Sequence, residues 1–321
     1  MTRHFLEVDD LSPAELGTAL HLADPRVKLG RPMEGRGMAL VMEKPSARTR
    51  NSTEMAVFSL GGHPVTIRGE EVGLDTRESV EDVARTLACY HSVIGARVNH
   101  HATLERMARA LDQAGSTTMV VNLLSEVGHP CQALADLLTL RQSLGPISGR
   151  TLAYIGDANN VCRSLAIAGV MSGMHVRVAS PPGYSLSQGD QDRATAHACP
   201  EGSPEGAEGG TLTVCARPEE AAEGADALAT DVWASMGQEG EADARRRAFE
   251  GYCVDERLVA AAAPHAVVLH CLPAHRGEEI AAAVIDGPQS VVWRQAANRR
   301  HAMRGLLAWL MGTGRPEGGG A

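Results

Sequence analysis

Five short runs in the chain carry side chains whose types and spacing could do chemistry. The first is Glu43-Lys44-Pro45-Ser46-Ala47-Arg48-Thr49-Arg50, which follows an apolar run and opens a helical segment. A helix start leaves backbone N–H groups without partners and puts the helix dipole behind them, which makes an anion site. Ser46 and Thr49 add hydroxyl donors, and Arg48 and Arg50 add charge in a planar fork suited to phosphate or carboxylate. The same run also reads as a capped helix with solvated arginines. The second run is Gly128-His129-Pro130-Cys131-Gln132. His129 precedes a proline and is held extended at the end of a strand, where open α/β sheets bind ligands. Gln132 offers both donor and acceptor and could read a small amide, although a structural helix start accounts for the run equally well.

The third run, Ile155-Gly156-Asp157-Ala158-Asn159-Asn160, occupies the place of a dinucleotide loop but lacks the second and third glycines of GxGxxG. Nicotinamide binding is therefore disfavoured. The adjacent asparagines could serve a carboxylate ligand or simply shape the turn. In the fourth, Asp231-Val232-Trp233-Ala234-Ser235-Met236-Gly237-Gln238-Glu239, an acidic residue ends a strand and a polar loop follows. Asp231 could hold an ammonium group and the loop could close as a lid; a plain helix cap is the alternative. The fifth is His270-Cys271-Leu272-Pro273-Ala274-His275-Arg276-Gly277, with a cysteine at the end of an apolar strand. It is placed for contact with a ligand, although a buried inert thiol is the commoner case. His270, Cys271 and His275 suggest a metal only weakly, because no matching second pair of ligands exists, and no metal is expected.

These runs need strands and helices to position them, and the pattern supplies both. Apolar runs read as strands at Met38–Met42, Val65–Ile67, Ser92–Ala96, Met119–Asn122, Thr151–Ile155, His175–Ala179, Thr211–Val214, Ala227–Thr230 and Ala266–His270. Between them, Ser52–Leu60, Val80–Tyr90, Leu104–Asp112, Ala133–Ser143 and Val161–Met171 read as helices, as does the late stretch Ala296–Met311. Regular alternation of this kind predicts α/β domains, each with a mostly parallel sheet flanked by helices. The break is expected at the Gly/Pro turn Leu144–Gly149, giving domains 1–145 and 146–295.

The 321 residues suit about two domains, and 44% hydrophobic content is ample for two cores. Aromatic residues are only 3%, so Leu, Val, Ala, Ile and Met must build those cores. A formal charge of −9 argues against nucleic acid or an anionic membrane as the main partner. Lys28 and Lys44 are the only lysines, an arginine bias of the kind a GC-rich genome imposes. Seven scattered cysteines without a CxxC pair, and no apolar leader-like stretch, point to a reducing cytoplasm and no disulfide framework.

In this order the five runs resemble the transcarbamoylase family, and within it the ornithine carbamoyltransferases, over about Met38 to Met311. SARTR is similar to the family's STRTR, while HPCQ, DVWASMGQE and HCLP narrow the likeness, since the aspartate enzymes carry an HPLPR-like sequence in place of HCLP. The resemblance implies transfer of a carbamoyl group from carbamoyl phosphate to L-ornithine without a metal or organic cofactor. It further implies a carbamoyl-phosphate domain to which 296–321 return, an ornithine domain, and a homotrimer or assembly of trimers. Carried over residue by residue, Ser46, Arg48, Thr49 and the Ala47 backbone are the phosphate cradle. Arg97 reaches phosphate and carbonyl oxygen, His129 polarises the carbonyl, Gln132 reads the amide and Arg299 is a late ligand. Cys271 and the Leu272 backbone line the reacting centre, and Asn160, Asp231, Ser235 and Met236 bind ornithine.

The chain departs from the family pattern in three places. Ala47 stands where threonine is usual, a small loss if that position acts through its N–H. Arg77 is the candidate within Glu70–Ser79 for a residue lent to a neighbouring subunit, and Arg276 lies further from HCLP than the family's arginine. The chemistry sets its own demand: only a neutral amine attacks, and an alkylammonium has a pKa of about 10.4. On this reading Cys271 orients the amine and takes part in its deprotonation while Asp231 holds the α-ammonium. A covalent Cys-carbamoyl route is the rival, as are a different acceptor amine and a catalytically silent binding relative.

Overall fold

The computed structural model describes residues 2–198, 209–234 and 242–314, which divide into two units. Unit 1 comprises Met1–Ala135 with Ala297–Ala321, and unit 2 comprises Asp136–Ala296. Both are α/β.

Unit 1 runs α1 (Pro13–Ala23), β1 (Gly37–Met42), α2 (Ala47–Ser59), β2 (His63–Arg68), α3 (Gly69–Val72), α4 (Val80–Ala88), β3 (Val93–Arg97), α5 (His101–Gln113), β4 (Met119–Leu124) and the start of α6 (Pro130–Leu144). Its sheet has the order β2-β1-β3-β4, and every pairing is parallel. β3 is buried at all five positions and β1 at all but its first, as a sheet covered on both faces requires. On α4, Val80, Val83, Ala84 and Leu87 recur at helical spacing and join β1, β3 and α5 residues in one core.

Unit 2 continues with β5 (Thr151–Ile155), α7 (Asn160–Met171), β6 (His175–Ala179), α8 (Gln188–Thr195), β7 (Thr211–Cys215), α9 (Pro218–Ala222), β8 (Ala227–Thr230), α10 (Ala242–Ala248), α11 (Glu256–Ala261), β9 (Val267–His270) and α12 (Ala282–Ile285). Its parallel sheet has the order β7-β6-β5-β8-β9. α7 is buried from Val161 to Met171, apolar apart from Ser164 and from Arg163, which pairs with Asp190.

The last helix, α13 (Val292–Leu310), starts in unit 2 and ends in unit 1. There it lies against α1: a Cβ on Gly305 would stand 2.5 Å from the Ala19 carbonyl oxygen and 2.5 Å from the Ala23 nitrogen. Arg304 donates to the carbonyls of Leu22 and Asp24 at 3.2 and 2.6 Å, placing a cation on the C-terminus of α1. Among the described residues no helix is long and apolar enough to cross a membrane.

Strand positions read from apolar runs agree with these elements to within two residues. Helix starts agree less evenly: α4 begins at Val80 as expected and α7 one residue early at Asn160, but α2 begins at Ala47 and α5 at His101, several residues before the apolar spacing does. First turns carry polar capping residues, which contribute nothing to an apolar period. By compactness the two units divide within α6, which itself carries the chain from one to the other.

Candidate active site

In an open parallel sheet, ligands bind at the carboxyl ends of the strands where the winding direction reverses. In unit 1 that point lies between β1 and β3, since β2 is added on one side of β1 and β3 and β4 on the other. The chain after β1 is tied to the chain after β3: the Glu43 N–H donates to the Arg97 carbonyl at 3.0 Å, and the Asn99 N–H donates to the Glu43 carboxylate at 2.7 Å. Ser46 then caps α2, accepting from the Thr49 N–H, and its hydroxyl lies 3.2 Å from the Thr49 hydroxyl. Ala47 and Arg48 are exposed in the first turn, while Thr49 is buried.

Arg299, from α13, gathers the other residues. Its guanidinium donates to the Thr49 hydroxyl at 3.0 Å, to the Gln132 side-chain oxygen, and to His129 Nε2 at 3.3 Å. A guanidinium can only donate, so His129 Nε2 accepts and the ring proton sits on Nδ1. Burial, and after it the positive charges of Arg299 and Arg97, hold the His129 imidazole well below the ordinary histidine value. It is therefore neutral, a donor of one N–H rather than a cation. Arg97, the last residue of β3, is itself buried.

The loop before His129 is built for position. Asn122 donates to the Leu6 carbonyl at 2.8 Å and to the Ser125 hydroxyl at 3.3 Å, and His101 Nδ1 lies 2.8 Å from the same hydroxyl. Cys131 donates to the Asn122 carbonyl at 3.2 Å, and burial pushes its thiol up to about 12, so it packs and does not react.

In unit 2 the reversal lies between β5 and β8. Asp231, directly after β8, is buried and gripped from two sides. Asn159 Nδ2 donates to its Oδ2 at 2.9 Å, and the Cys271 thiol, directly after β9, donates to its Oδ1 at 2.9 Å. Asn159 also caps α7 through its oxygen, accepting from the N–H groups of Val161 and Cys162. Leu272 follows with φ 60, a left-handed backbone that costs a non-glycine residue about 1–2 kcal/mol. Donor atoms of Asp231, His270 and Cys271 lie within 4.8 Å of one another. They already satisfy one another and their neighbours: His270 Nδ1 accepts from Leu272, Nε2 faces Glu279 at 3.0 Å, and the thiol serves Asp231.

Of the expected residues, Thr49, His129, Gln132 and Arg299 come together, with Ser46 beside Thr49 and Arg97 near His129. Asp231, Cys271 and Leu272 form the second group. Asn160 is the first residue of α7, and it is Asn159 that binds Asp231. Ser235 and Met236 lie outside the described residues. Arg276 pairs with Asp286 at 2.8 Å on the surface, and Arg77 is exposed, donating to the Glu71 carbonyl at 3.2 Å. Asp157 and Arg245 were not foreseen. Arg245 bridges Asp157 and the Trp233 carbonyl, each at 2.7 Å, and stacks over Tyr184, fixing the chain just after Asp231. No local signal joins them, because Asp157 and Arg245 stand 88 residues apart in sequence.

Two family models match the chain. Residues 3–142 match the carbamoyl-P binding domain of aspartate/ornithine carbamoyltransferase, and residues 148–310 match its Asp/Orn binding domain. The chain is 48% identical over 316 residues to the ornithine carbamoyltransferase of Parafrankia sp. (strain EAN1pec), covering 96% of each protein. It is 48% identical over 315 residues to that of Acidothermus cellulolyticus, covering 97% of each. The solved ornithine carbamoyltransferase from Pyrococcus furiosus superposes with a TM-score of 0.88 at 41% identity, covering 98% of both chains. Two domain models end to end, relatives near half identity and a shared fold lead to one conclusion: the chain belongs to the aspartate/ornithine carbamoyltransferase family.

Proposed function

We propose that the chain is an ornithine carbamoyltransferase, which moves the carbamoyl group of carbamoyl phosphate to the side-chain amine of L-ornithine, releasing L-citrulline and phosphate. The observation that carries this reading is the Asn159–Asp231–Cys271 chain, a buried carboxylate and a thiol held at 2.9 Å at the mouth of a parallel sheet. A carboxylate there suits the α-ammonium of a free amino acid, and a thiol suits an amine that must give up a proton. Curated relatives near half identity bear the same activity in their names.

On this proposal unit 1 holds the donor. The N–H groups at the start of α2, from Ala47 on, the hydroxyls of Ser46 and Thr49, and Arg48, Arg97 and Arg299 take the phosphate. Gln132 reads the carbamoyl amide. Neutral His129 donates to the carbonyl oxygen, where negative charge grows as the amine attacks; one such donor is typically worth about 2.7–4 kcal/mol. Unit 2 holds the acceptor through Asn160, Asp231, Ser235 and Met236. Cys271 orients the amine and, with the Leu272 backbone, lines the reacting centre. No metal or organic cofactor enters the balance: the C–O bond to phosphate breaks, the C–N bond forms, and the amine proton leaves through the neighbouring acceptors. On the same reading the chain works in the cytoplasm and assembles as a homotrimer or an assembly of trimers; the exposed Met55 and Phe58 on α2 support assembly.

Purified protein tests the proposal directly. Citrulline should form from carbamoyl phosphate and L-ornithine, with little product from putrescine, N-acetylornithine or aspartate in parallel. Product from another amine alone would overturn the acceptor assignment and leave the carbamoyl-phosphate half standing. Tight carbamoyl-phosphate binding without turnover on any amine would make the chain a silent relative.

A further inference from the structure

His129, which faces the carbamoyl carbonyl on the proposed function, sits on a short turn between β4 and α6. The turn closes on itself: the Ser125 N–H donates to the Gly128 carbonyl at 2.9 Å, and the Gly128 N–H returns to the Ser125 hydroxyl oxygen at 3.2 Å. Asn122, in β4, holds both of these residues, donating from Nδ2 to the Ser125 hydroxyl at 3.3 Å and to the Gly128 carbonyl at 3.4 Å. With two N–H groups aimed at its oxygen, the Ser125 hydroxyl turns its own proton to His101 Nδ1, 2.8 Å away. Ser125 and Asn122 are both fully buried.

The Asn122 amide is oriented for donation. Leu6 and Gly128 present carbonyl oxygens, which only accept, so the amide nitrogen must face them. Its own oxygen is buried and meets no donor among the described residues. A buried acceptor left unmade costs stability, and an apolar side chain of similar shape would avoid that cost. What the amide contributes is therefore the grip of its N–H groups, with Leu6 at 2.8 Å on one side and the turn on the other. The anchor is itself fixed, since Phe5 forms a parallel bridge with Val121 and its carbonyl accepts from the Asn122 N–H at 2.8 Å. His129 follows directly after Gly128, so the direction of its imidazole depends on that turn.

We propose that Ser125 and Asn122 are positioning residues, which fix the Gly128–His129 turn and so aim the His129 imidazole at the carbamoyl carbonyl. The inference rests on the proposed function for its consequence in turnover, and on geometry alone for its consequence at His129.

Three substitutions probe the turn. Ser125→Ala removes the hydroxyl with little change of volume, Ser125→Thr keeps it, and Asn122→Asp sets an acceptor against two carbonyls. Ser125→Ala and Asn122→Asp should lower kcat about 10- to 100-fold, the scale of a misplaced reacting group, while the carbamoyl-phosphate KM stays within about twofold. Ser125→Thr should retain most of the activity. A double-mutant cycle is the decisive comparison. In a His129→Gln background, where the imidazole is already gone, Ser125→Ala should cost less than about threefold more, because both changes act through one group. The same fold-loss in both backgrounds overturns the proposal, as does an unchanged kcat in Ser125→Ala or in a folded Asn122→Asp. Peptide-resolved modification by diethylpyrocarbonate needs no turnover. His129 should react several-fold faster in Ser125→Ala than in Ser125→Thr, while His91, just before β3 at the opposite end of the sheet, keeps its rate. Equal His129 rates in the two Ser125 variants, or a matching rise at His91, would make the hydroxyl a general part of the core and overturn the proposal. Absence of ornithine turnover in the unmodified protein would sink the functional reading instead, with the modification ratio still deciding the turn.

Discussion

Arg299 donates to Thr49, Gln132 and His129, three residues that the sequence scatters over positions 49 to 132. Its removal leaves a buried amide and hydroxyl without a charged donor. Arg299→Ala should raise the carbamoyl-phosphate KM and cut kcat/KM by about 100-fold or more, read by steady-state kinetics. Cys271→Ser keeps a donor to Asp231 but replaces the thiol with a far weaker acid. We expect a fall in kcat of at least about tenfold in citrulline assays; full turnover would remove the thiol from the mechanism altogether. His129 makes a pH prediction. Its folded pKa lies well below its unfolded value of about 6.5, so below pH 6.5 the unfolded chain takes up a proton that the native ring refuses. Stability conferred by the neutral ring is present above that pH and falls as the pH drops, by about 1.4 kcal/mol per unit for a single site. His4, His91 and His301 are also lowered by burial and act in the same direction. His129→Gln should therefore flatten, but not abolish, the decline of urea-unfolding stability between pH 6.5 and 5.

At the scale of elements, capping and close approach decide most of the outcome. Ser46 and Asn159 each cap a helix while standing beside a candidate ligand group, so one side chain sets both the helix start and the site. That a helix opens at the first was legible from the run Glu43–Arg50, whereas the paired asparagines read only as a turn or a ligand for a carboxylate. Which asparagine faces Asp231 was not legible, because capping geometry turns on one residue and the two are chemically alike. Gly305 lets α13 lie on α1, and the atoms a methyl group would meet there are backbone atoms that cannot swing aside. Gly305→Ala should cost about 1–3 kcal/mol in a denaturant titration, despite the higher helix propensity of alanine. An unchanged or raised midpoint would mean that α13 can shift without loss.

For the whole molecule, each unit repeats the same solution: a parallel sheet whose winding reverses once, with the chemically capable residues at that reversal. Arg97 and the Ser46 cap flank it in unit 1, and Asn159 and Asp231 flank it in unit 2. The proposed trimer belongs to this scale. On α2, Met55 is 46% and Phe58 69% exposed, large apolar side chains whose cost in water falls when a second copy covers them. Light scattering should give three times the chain mass, and Phe58→Glu should shift it toward monomer. A monomeric unmodified protein would overturn the assembly.

The sequence by itself determined the fold class, the strands and the residue types of the candidate site, because apolar period, turn residues and short motifs are local properties that need no partner. It placed His129, Asp231 and Cys271 at strand ends from the residues that flank them. Only the tertiary structure decided which of these side chains meet. Strand order, and with it the reversal point, is a matter of long-range pairing that no local run encodes. Arg245 reaches Asp157 across 88 positions, and Arg299 reaches Thr49 across 250. His129 is neutral because folding places it in a dry environment and, after that, beside two arginines distant in sequence. Chemistry resides in residue types, but charge state and geometry arise from neighbours that only folding supplies.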